Sequence, residues 1–399
     1  MLHVPSTCTG CHACASICPH KCIVMKENNA GFLFPEINSI ECVQCNLCEK
    51  VCPVIHEQQR SLQTLAYAVQ NRNETIRYAS TSGGIFSLLA ENIIDQGGIV
   101  FGAAYDDNFT VRHIAIADRQ ELSHLRGAKY TQSVVGNSFQ KVKTILNSGR
   151  KVLFSGTPCQ CSGLKAFLGR EYDNLLLVDL ICHGVPSPKV WQAYIDYRSS
   201  KENEGIRPVQ INMRSKVSGW SRYRYSTEFD YGDGHITRIH NNRDLFMRAF
   251  IGNICLCDSC SDCVAKGAER CTDFTLGDYW GIWNQHPDFD DDKGTSIVFV
   301  HSEKGKRFLK QVSEQIKCLS VEIEEACKEN ESFIKSSVPH EKRGEFLASV
   351  DASTFEELIF EYFPLQEAKK TGFFQRIKER VGNTLKQSKR KYQIWDKRR

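Results

Sequence analysis

The chain has 399 residues, a net charge of +4 and 41% hydrophobic residues, enough for two or three folded domains with a sizeable core. It contains no run of about 18 apolar residues, which argues against a membrane-spanning helix. No apolar leader precedes the first cysteines, so no secretory signal is expected. Many of the 19 cysteines have metal-ligand spacing, and thiolate ligands must stay reduced, so we expect a cytoplasmic protein.

Two copies of one cysteine pattern occupy the first 53 residues. Each reads C-x2-C-x2-C-x3-C-P, a spacing typical of bacterial proteins that bind [4Fe–4S] clusters. The three closely spaced cysteines of one run bind one cluster, and its fourth cysteine binds the other. The predicted ligands are Cys8, Cys11, Cys14 and Cys52 for cluster one, and Cys42, Cys45, Cys48 and Cys18 for cluster two. Paired zinc knuckles and a disulfide framework are the alternatives, but zinc sites rarely need two interlocked runs with proline.

Predicted strands and helices alternate after this module. They are, in chain order, a hairpin near 31–35, a strand at 65–69, a helix at 85–94, strands at 97–105 and 113–117, and helices at 120–125 and 139–147. Two strand–loop–helix units follow, with strands at 151–155 and 175–181 and helices at 160–168 and 188–198. This alternation favours a parallel or mixed α/β sheet. Strands at 209–213, 223–231 and 235–239 predict an antiparallel patch.

The C-terminal segment differs in charge from the rest of the chain. Residues 366–399 hold twelve Lys or Arg and three Asp or Glu, a net charge of +9, so the remaining residues carry −5. Aromatic residues interleave with these basic positions, which suits peripheral contact with an anionic membrane surface. A solvated helix and a protein-binding segment are the alternatives. Nucleic acid is not expected as a partner, because no recognition motif is present.

A third group of cysteines lies far from the first two. Cys159 and Cys182 each follow a predicted strand, at the sheet edge where ligands collect in α/β proteins. With Cys260 and Cys263 they would bind a third [4Fe–4S] cluster. A local site built from Cys255, Cys257, Cys260 and Cys263, holding zinc or a cluster, remains open, as do free thiols. Other cysteines, Cys22, Cys161, Cys318 and Cys327, are interpreted as ordinary buried or surface residues.

Five phrases in a fixed order add a resemblance. They are TSGG at 81–84, GAKY at 127–130 followed by QS at 132–133, FSGTPCQ at 154–160, DLICHG at 179–184 and DFTLGDYWG at 273–281. Together they resemble the coenzyme F420 hydrogenase/dehydrogenase beta-subunit family, over roughly residues 1–300. The chain departs from the family pattern at Ala128, where serine is usual, and in the dense cysteines from Cys255 onward.

The resemblance implies FAD as well as clusters. Ser82, Gly83 and Gly84 would receive the pyrophosphate at a helix N-terminus, where free N–H groups favour anions. The other implied flavin residues are Lys129 and Tyr130, beside a phosphate or the ring, and Gly156 and Thr157, where backbone can approach closely. His183 is expected to be a hydrogen-bonded structural residue. Asp278 and Trp280 are expected to pack at the third site, and no residue is assigned as catalytic.

The fold class expected on this basis is α+β or α/β. A small bacterial-ferredoxin-like dicluster module (1–58) precedes a mixed-sheet α/β domain that binds flavin and clusters. That domain has a beta-subunit N-terminal region (64–148) and a C-terminal region (149–305), and a helical, basic tail (306–399) follows.

The function expected is that of an iron–sulfur flavoprotein oxidoreductase. Its cofactors would be two [4Fe–4S] clusters, a third cluster and FAD. A soluble ferredoxin or partner redox subunit would exchange electrons with the clusters, and an organic hydride acceptor, F420 or another compound, with the flavin. The alternative is a non-catalytic electron-transfer subunit.

Overall fold

The computed structural model describes residues 2–61 and 63–364. The chain divides into two compact units, residues 1–358 and 359–399. Among the described residues, every strand belongs to the first unit. The predicted basic segment, residues 366–399, lies outside the described residues.

Helices and strands alternate through most of the first unit. The strands are β1 (Ile23–Glu27), β2 (Leu33–Ile37), β3 (Leu65–Asn71), β4 (Ile99–Tyr105), β5 (Val111–Ile116), β6 (Val152–Ser155), β7 (Leu175–Leu180), β8 (Gln210–Ser215), β9 (Ser226–Asp230), β10 (Ile236–His240), β11 (Phe274–Asp278), β12 (Ser296–Val300) and β13 (Ile316–Val321). The helices are α1 (Ala13–Ile17), α2 (Leu47–Lys50), α3 (Glu74–Ala79), α4 (Ile85–Asp95), α5 (Leu122–Leu125), α6 (Ser138–Asn147), α7 (Pro158–Leu168), α8 (Pro188–Glu202), α9 (Leu245–Ile251), α10 (Ile282–Gln285), α11 (Glu303–Gln311), α12 (Ile323–Cys327), α13 (Arg343–Ala348) and α14 (Phe355–Tyr362).

The N-terminal module repeats one local geometry. Strands β1 and β2 form an antiparallel hairpin, and the short helices α1 and α2 each begin inside one cysteine run. The residue before each helix, His12 or Asn46, has a positive φ, 69° and 60° respectively. The two cysteine runs therefore turn into their helices in the same way.

An eight-stranded mixed sheet forms the centre of the unit. Its strand order is β13-β3-β12-β11-β7-β6-β4-β5. The four central strands, β11, β7, β6 and β4, are parallel to one another. The remaining pairs, β13–β3, β3–β12, β12–β11 and β4–β5, are antiparallel. The mixed α/β sheet expected from the sequence is confirmed.

Side chains alternate between two buried layers on this sheet, as the period of two requires. Leu153, Leu176 and Val178 face the layer that contains α4, whereas Phe154 and Leu177 face the layer that contains α6 and α7. Cys11 and Ala13 of the N-terminal module belong to the second layer. The module is therefore part of the same core as the sheet.

Hydrogen bonds fix the module against the larger domain. The Gln132 side chain accepts from Leu33 N at 2.7 Å and donates to Leu33 O at 3.2 Å. Gln140 Nε2 donates to Ser16 O at 2.9 Å. Because these bonds join the module to the α5–α6 region, the position of the first two cysteine runs relative to the sheet is set by the fold.

A smaller sheet carries the predicted antiparallel patch. Its strand order is β10-β9-β8, and the β8–β9 register shifts between Asn212 and Ser215. The sequence predicted the ends of these three strands to within one to three residues.

Three strands were absent from the sequence prediction. β11 and β12 lie in the large sheet, and β13 interrupts the segment expected to be helical after residue 306. Lys317, Cys318 and Leu319 pair with β3 at the sheet edge, where the pattern of exposed and buried residues is irregular. Pairing with β3, rather than local propensity, decides this strand. The domain boundary at 148/149 falls between strands of one sheet, and the domain division stays a prediction.

Candidate functional site

The four cysteines predicted for cluster one surround one cavity. Cys8, Cys11, Cys14 and Cys52 line this cavity, and its remaining wall includes apolar residues such as Leu2 and Val4. Thiols from both runs and an apolar wall suit a [4Fe–4S] cluster, which is held by cysteine thiolates. The donor set therefore fits the cofactor predicted from the spacing.

The module contains a second cavity. It is lined by the cysteines predicted for cluster two, Cys18, Cys42, Cys45 and Cys48, and also by Cys22. The Sγ atoms of Cys18 and Cys22 are 3.3 Å apart. The sequence prediction treated Cys22 as an ordinary residue, so this fifth thiol was missed.

Cluster one's cavity adjoins helix α7. An added Cβ on Gly163 would lie 2.9 Å from the Sγ of Cys11, so Cys11 packs directly on this helix. Cys159 stands one turn earlier, and residues four apart share a helix face, about 5–6 Å apart. Cys11 and Cys159 are near enough that the charge of Cys159 contributes, after burial and Cys14, to raising the pKa of Cys11.

The third group of thiols is drawn from three separate segments. Burial raises the pKa of Cys159 to about 12, and the nearby charges of Cys263, Cys182 and Cys257 add to that rise. The Sγ of Cys260 accepts a hydrogen bond from Val185 N at 3.3 Å, which places Cys260 against the loop after Cys182. The structure thus brings together the four predicted residues and adds Cys257.

Polar groups surround this third group. Thr157 Oγ1 lies 3.1 Å from Cys159 Sγ, and Lys266 Nζ donates to the carbonyl of Cys182. Cys159 lines a cavity together with Cys271 and Arg270. Within residues 2–61 and 63–364, no three His, Cys, Asp or Glu side chains are arranged to hold a single metal ion.

The predicted flavin residues lie in three places. Gly156 and Thr157 directly precede α7, next to Cys159, and Thr157 forms a capping box with Gln160. They therefore lie at the third thiol group. Ser82, Gly83 and Gly84 lie on the other side of the sheet region, at the start of α4.

Gly83 has a packing reason to be glycine. A Cβ there would lie 2.2 Å from Val69 O and 2.6 Å from Ser296 N. Its N–H already donates to Ser296 Oγ at 2.9 Å. Gly84, with φ 81°, precedes the first residue of α4. At Gly83, the absence of a side chain therefore allows the backbone to pack closely against strands β3 and β12.

Lys129 and Tyr130 make different kinds of contact, although they are neighbours in the sequence. The Nζ of Lys129 donates to the carbonyls of Arg126 at 2.8 Å and Gly127 at 3.1 Å, and burial lowers its pKa to about 7. Those carbonyl contacts hold its own loop in place. The ring of Tyr130 stacks on Phe250 with centroids 4.8 Å apart.

A buried arginine that the sequence analysis missed lies beside Tyr130. Arg214, at the end of β8, packs over the ring of Tyr225 at 3.9 Å and that of Trp280 at 4.9 Å. Its Nη2 is 3.3 Å from Asp278 Oδ2, an ion pair without hydrogen-bond geometry. Burial disfavours its charge, but the Asp278 carboxylate raises the pKa of Arg214 above its usual value.

Several polar atoms around Arg214 have no hydrogen-bond partner. They are Nε and Nη2 of Arg214 and Oδ1 of Asp278. Buried polar groups are normally paired, so unpaired ones here require an explanation such as a missing ligand. A flavin, with carbonyl and ring nitrogen atoms to pair and an aromatic ring to stack, fits this donor and acceptor set. Asp278 and Trp280, expected at the third thiol group, belong instead to this arginine site.

The rings of Phe250 and His183 connect the site around Arg214 to the third thiol group. Phe250 contacts Tyr130 on one side and the ring of His183, at 5.2 Å, on the other. His183 directly follows Cys182. Its Nε2 lies 2.6 Å from Asn253 Oδ1 and its Nδ1 lies 3.2 Å from Ser332 Oγ, as a structural histidine requires.

Two segments of the chain match models of known protein families. Residues 149–326 match the family model for the C terminus of the coenzyme F420 hydrogenase/dehydrogenase beta subunit, and residues 7–55 match the 4Fe-4S dicluster domain. Two segments of the chain thus resemble these two families. The resemblance predicted from sequence is confirmed, and the two matched segments indicate iron–sulfur electron transfer.

Similar proteins come from archaea and bacteria. An uncharacterized protein of Methanocaldococcus jannaschii is 22% identical over 348 residues, which cover 76% of this chain and 86% of that protein. The NADH-quinone oxidoreductase subunit I 2 of Geobacter metallireducens is 33% identical over 57 residues, 13% of this chain and 44% of that protein. A chain of the F420-reducing [NiFe] hydrogenase complex from Methanosarcina barkeri aligns with a TM-score of 0.44 and 14% identity, over 77% of this chain and 94% of that one.

In the described parts of the chain, no helix is long and apolar enough to cross a membrane.

Proposed function

We propose that this chain is an iron–sulfur flavoprotein oxidoreductase that passes electrons between a low-potential donor and an organic hydride acceptor. The proposal rests on a series of contacts that runs from the first cavity through the third thiol group to the buried Arg214. Cys11 of the first cavity packs on the helix that holds Cys159, and Cys182 precedes His183, which reaches the arginine site through Phe250.

The proposed ligands follow the thiols that line the two cavities of the module and, for the third cluster, the thiols grouped around Cys159. Cluster one would be held by Cys8, Cys11, Cys14 and Cys52, and cluster two by Cys18, Cys42, Cys45 and Cys48. A third cluster would be held by Cys159, Cys182, Cys260 and Cys263. Cys257 is the competing fourth ligand, because it also lies near Cys159.

The second cavity is proposed as the point of exchange with a soluble ferredoxin or a partner redox subunit. Cys45 is exposed there, and Ile40 and Val43 on the same loop are 95% and 58% exposed. Cluster one is more enclosed, since Cys11 and Cys52 are buried. Electrons would therefore pass from cluster two to cluster one and on to the third group, or in reverse.

FAD is proposed for the arginine site. When bound, FAD accepts electrons singly and exchanges them as a hydride. Arg214 would hold the ring's electron-rich edge, Tyr130 and Trp280 would pack on it, and Asp278 would keep Arg214 charged. Ser82 and Gly84, near the start of α4, remain the predicted contacts of the pyrophosphate.

The acceptor is proposed to be F420 or a related organic compound, because the matched family is named for that coenzyme. The alternative function, a non-catalytic relay subunit, would need the clusters and no flavin. The unpaired atoms at Arg214 favour the flavoprotein.

Anaerobic purification followed by counts of iron, sulfide and released flavin tests the proposal. About twelve irons and one FAD per chain are expected for three [4Fe–4S] clusters and a flavin. About eight irons without flavin would overturn the flavoprotein and leave a dicluster relay.

Cytoplasmic location and peripheral membrane contact through residues 366–399 remain proposals from sequence. Co-sedimentation with anionic liposomes, with and without those residues, tests the second. Binding that is equal for both chains would refute it.

A further inference from the structure

We propose that Thr9 and His12 donate hydrogen bonds to sulfur atoms of cluster one and raise its reduction potential, so that an electron entering at cluster two is drawn inward. The inference rests on the proposed function, because it assumes that both cavities of the N-terminal module hold a [4Fe–4S] cluster.

The imidazole of His12 is a buried donor that faces the first cavity. His12 is 3% exposed and lines this cavity together with the four proposed ligands of cluster one. Among the described residues, its Nε2 has no hydrogen-bond partner. Buried polar nitrogens are normally paired, so a sulfur atom held in the cavity is the natural acceptor for this one.

The neighbouring imidazole of His113 does not provide that partner. His113 lies near His12, but both of its ring nitrogens already have partners. Its Nε2 lies 3.1 Å from Ser155 O, and its Nδ1 lies 3.0 Å from Ser133 Oγ. The Nε2 of His12 therefore remains available to the cluster.

The hydroxyl of Thr9 is a second donor at the same cavity. Its Oγ1 is buried and has no hydrogen-bond partner within the described part of the chain. Thr9 lines the first cavity and also the cavity that contains Cys159. Thr9 therefore lies between cluster one and the third thiol group.

The second cysteine run has different side chains at the two matching positions. Counted from the first cysteine of each run, Val43 corresponds to Thr9 and Asn46 corresponds to His12. Val43 and Asn46 line the second cavity, as Thr9 and His12 line the first. Asn46 has a φ of 60° and His12 a φ of 69°, so the backbones match. A hydroxyl and an imidazole thus stand at cluster one where an apolar side chain and a shorter amide stand at cluster two.

This difference opposes the effect of burial on the two clusters. Reduction adds negative charge to a cluster, and burial of charge is unfavourable. Cluster one is the more enclosed, since Cys11 and Cys52 are buried whereas Cys45 of cluster two is exposed. Burial alone would therefore make cluster one the harder of the two to reduce. Hydrogen bonds to the sulfur atoms help to set the potential, and donors stabilise the more negative, reduced state more than the oxidised one.

Potentiometric titration of the full chain, followed by EPR, tests the inference. Thr9→Val and His12→Asn give the first run the residues of the second, and valine keeps the shape of threonine. In the double variant, the ratio of reduced to oxidised cluster one at a fixed potential is expected to fall at least tenfold, about 59 mV for one electron. The potential of cluster two is expected to stay the same. His124→Asn, at an exposed histidine outside the module, is the matched control.

Two further measurements make the result specific to cluster one. Cys45→Ala removes a proposed ligand of cluster two and so identifies the EPR signal of cluster one. Iron and sulfide analysis of the double variant is expected to match wild type, which distinguishes a change of potential from loss of the cluster.

The labelled wild-type chain covers the case in which the double variant loses its cluster. With ¹⁵N-histidine, pulsed EPR of the reduced protein is expected to show a weak nitrogen coupling to cluster one. The absence of any coupling, or a coupling as large as that of a direct iron–nitrogen bond, would overturn the role of His12 as a donor.

The outcomes separate the inference from the proposed function. If the wild-type module holds no clusters, the proposed function fails. If the module holds them and the potential of cluster one is equal in wild type and the double variant, the proposed function stands and the inference alone is overturned.

Discussion

The sulfur of Cys11 lies against Gly163 on helix α7, where an added Cβ would be 2.9 Å away. This contact joins the N-terminal module to the helix that carries Cys159. It therefore fixes the separation between two of the proposed cluster sites.

Gly163→Ala is expected to displace Cys11 and weaken cluster one. The added methyl group would meet the Sγ, Cβ and carbonyl oxygen of Cys11, and overpacking of this kind costs about 1–3 kcal/mol. We expect the iron content to fall by up to about four per chain. Gly344→Ala is the control, because no atom lies within 4 Å of its added Cβ. Equal iron content in both variants would show that the contact is unimportant.

Phe250→Leu is expected to slow electron transfer between the third cluster and the flavin. The substitution removes the ring that contacts both Tyr130 and His183. We expect the rate of flavin reduction by pre-reduced clusters to fall roughly tenfold, about 1.4 kcal/mol in barrier. Phe246→Leu on the same helix is the control, because it loses similar packing against Trp191 and Tyr194. Stopped-flow absorbance measures both, and equal rates would remove Phe250 from the path.

Arg214→Met is expected to release the flavin. Charge-assisted hydrogen bonds contribute about 1.5–3 kcal/mol, so FAD affinity should fall at least tenfold. Asp278 would then be buried without its partner, so Arg214→Met with Asp278→Asn is included to restore folding. Arg224→Met is the control, since Arg224 is 53% exposed and pairs with Asp292. Equilibrium titration with FAD measures the affinities, and unchanged binding by the double variant would place the flavin elsewhere.

Cys159→Ala is expected to lose about four irons, whereas Cys271→Ala is expected to lose none. Both residues line the same cavity, but Cys271 lies 3.3 Å from Ser162 Oγ, and Cys159 lies among the other thiols of the third group. Iron and sulfide analysis distinguishes the two variants. Loss of iron from both would make Cys271 a ligand as well.

The stability of the fold is expected to depend on pH through His113. Burial lowers its pKa to about 4, while its Nε2 donates to Ser155 O at 3.1 Å and its Nδ1 accepts from Ser133 Oγ at 3.0 Å. Below the ordinary pKa of about 6.5, the unfolded chain binds a proton that the folded chain does not. The contribution is therefore complete above pH 6.5 and is lost as pH falls toward 4.

Anaerobic urea unfolding of wild type and His113→Gln measures this contribution. Between pH 6.5 and 5, we expect the free energy of unfolding of wild type to fall by up to about 2 kcal/mol more than that of the variant. Identical pH dependence in the two proteins would mean that His113 is protonated in the folded state at its ordinary pKa.

Much of the fold and part of the site followed from local sequence. The two cysteine runs predict which thiols share a cavity because a short spacing and a turn position three of them at once, and the same left-handed residue recurs at His12 and Asn46. The alternation of apolar strands with helices likewise predicted the mixed sheet. Cysteine spacing and apolar periodicity involve only a few neighbouring residues, so they can be recognised from the sequence alone.

The remaining features depended on contacts between distant segments. Arg214 meets Asp278 and Tyr130 only because β8, β11 and the loop after α5 converge. Cys22 looked unpaired by spacing, but the turn at Lys21 and the hairpin bring its sulfur back to Cys18. Sequence alone therefore determined the cysteine runs and the type of sheet. Tertiary packing decided the fifth thiol, the buried arginine and the order of the sites, because these depend on which surfaces face each other after the chain has folded.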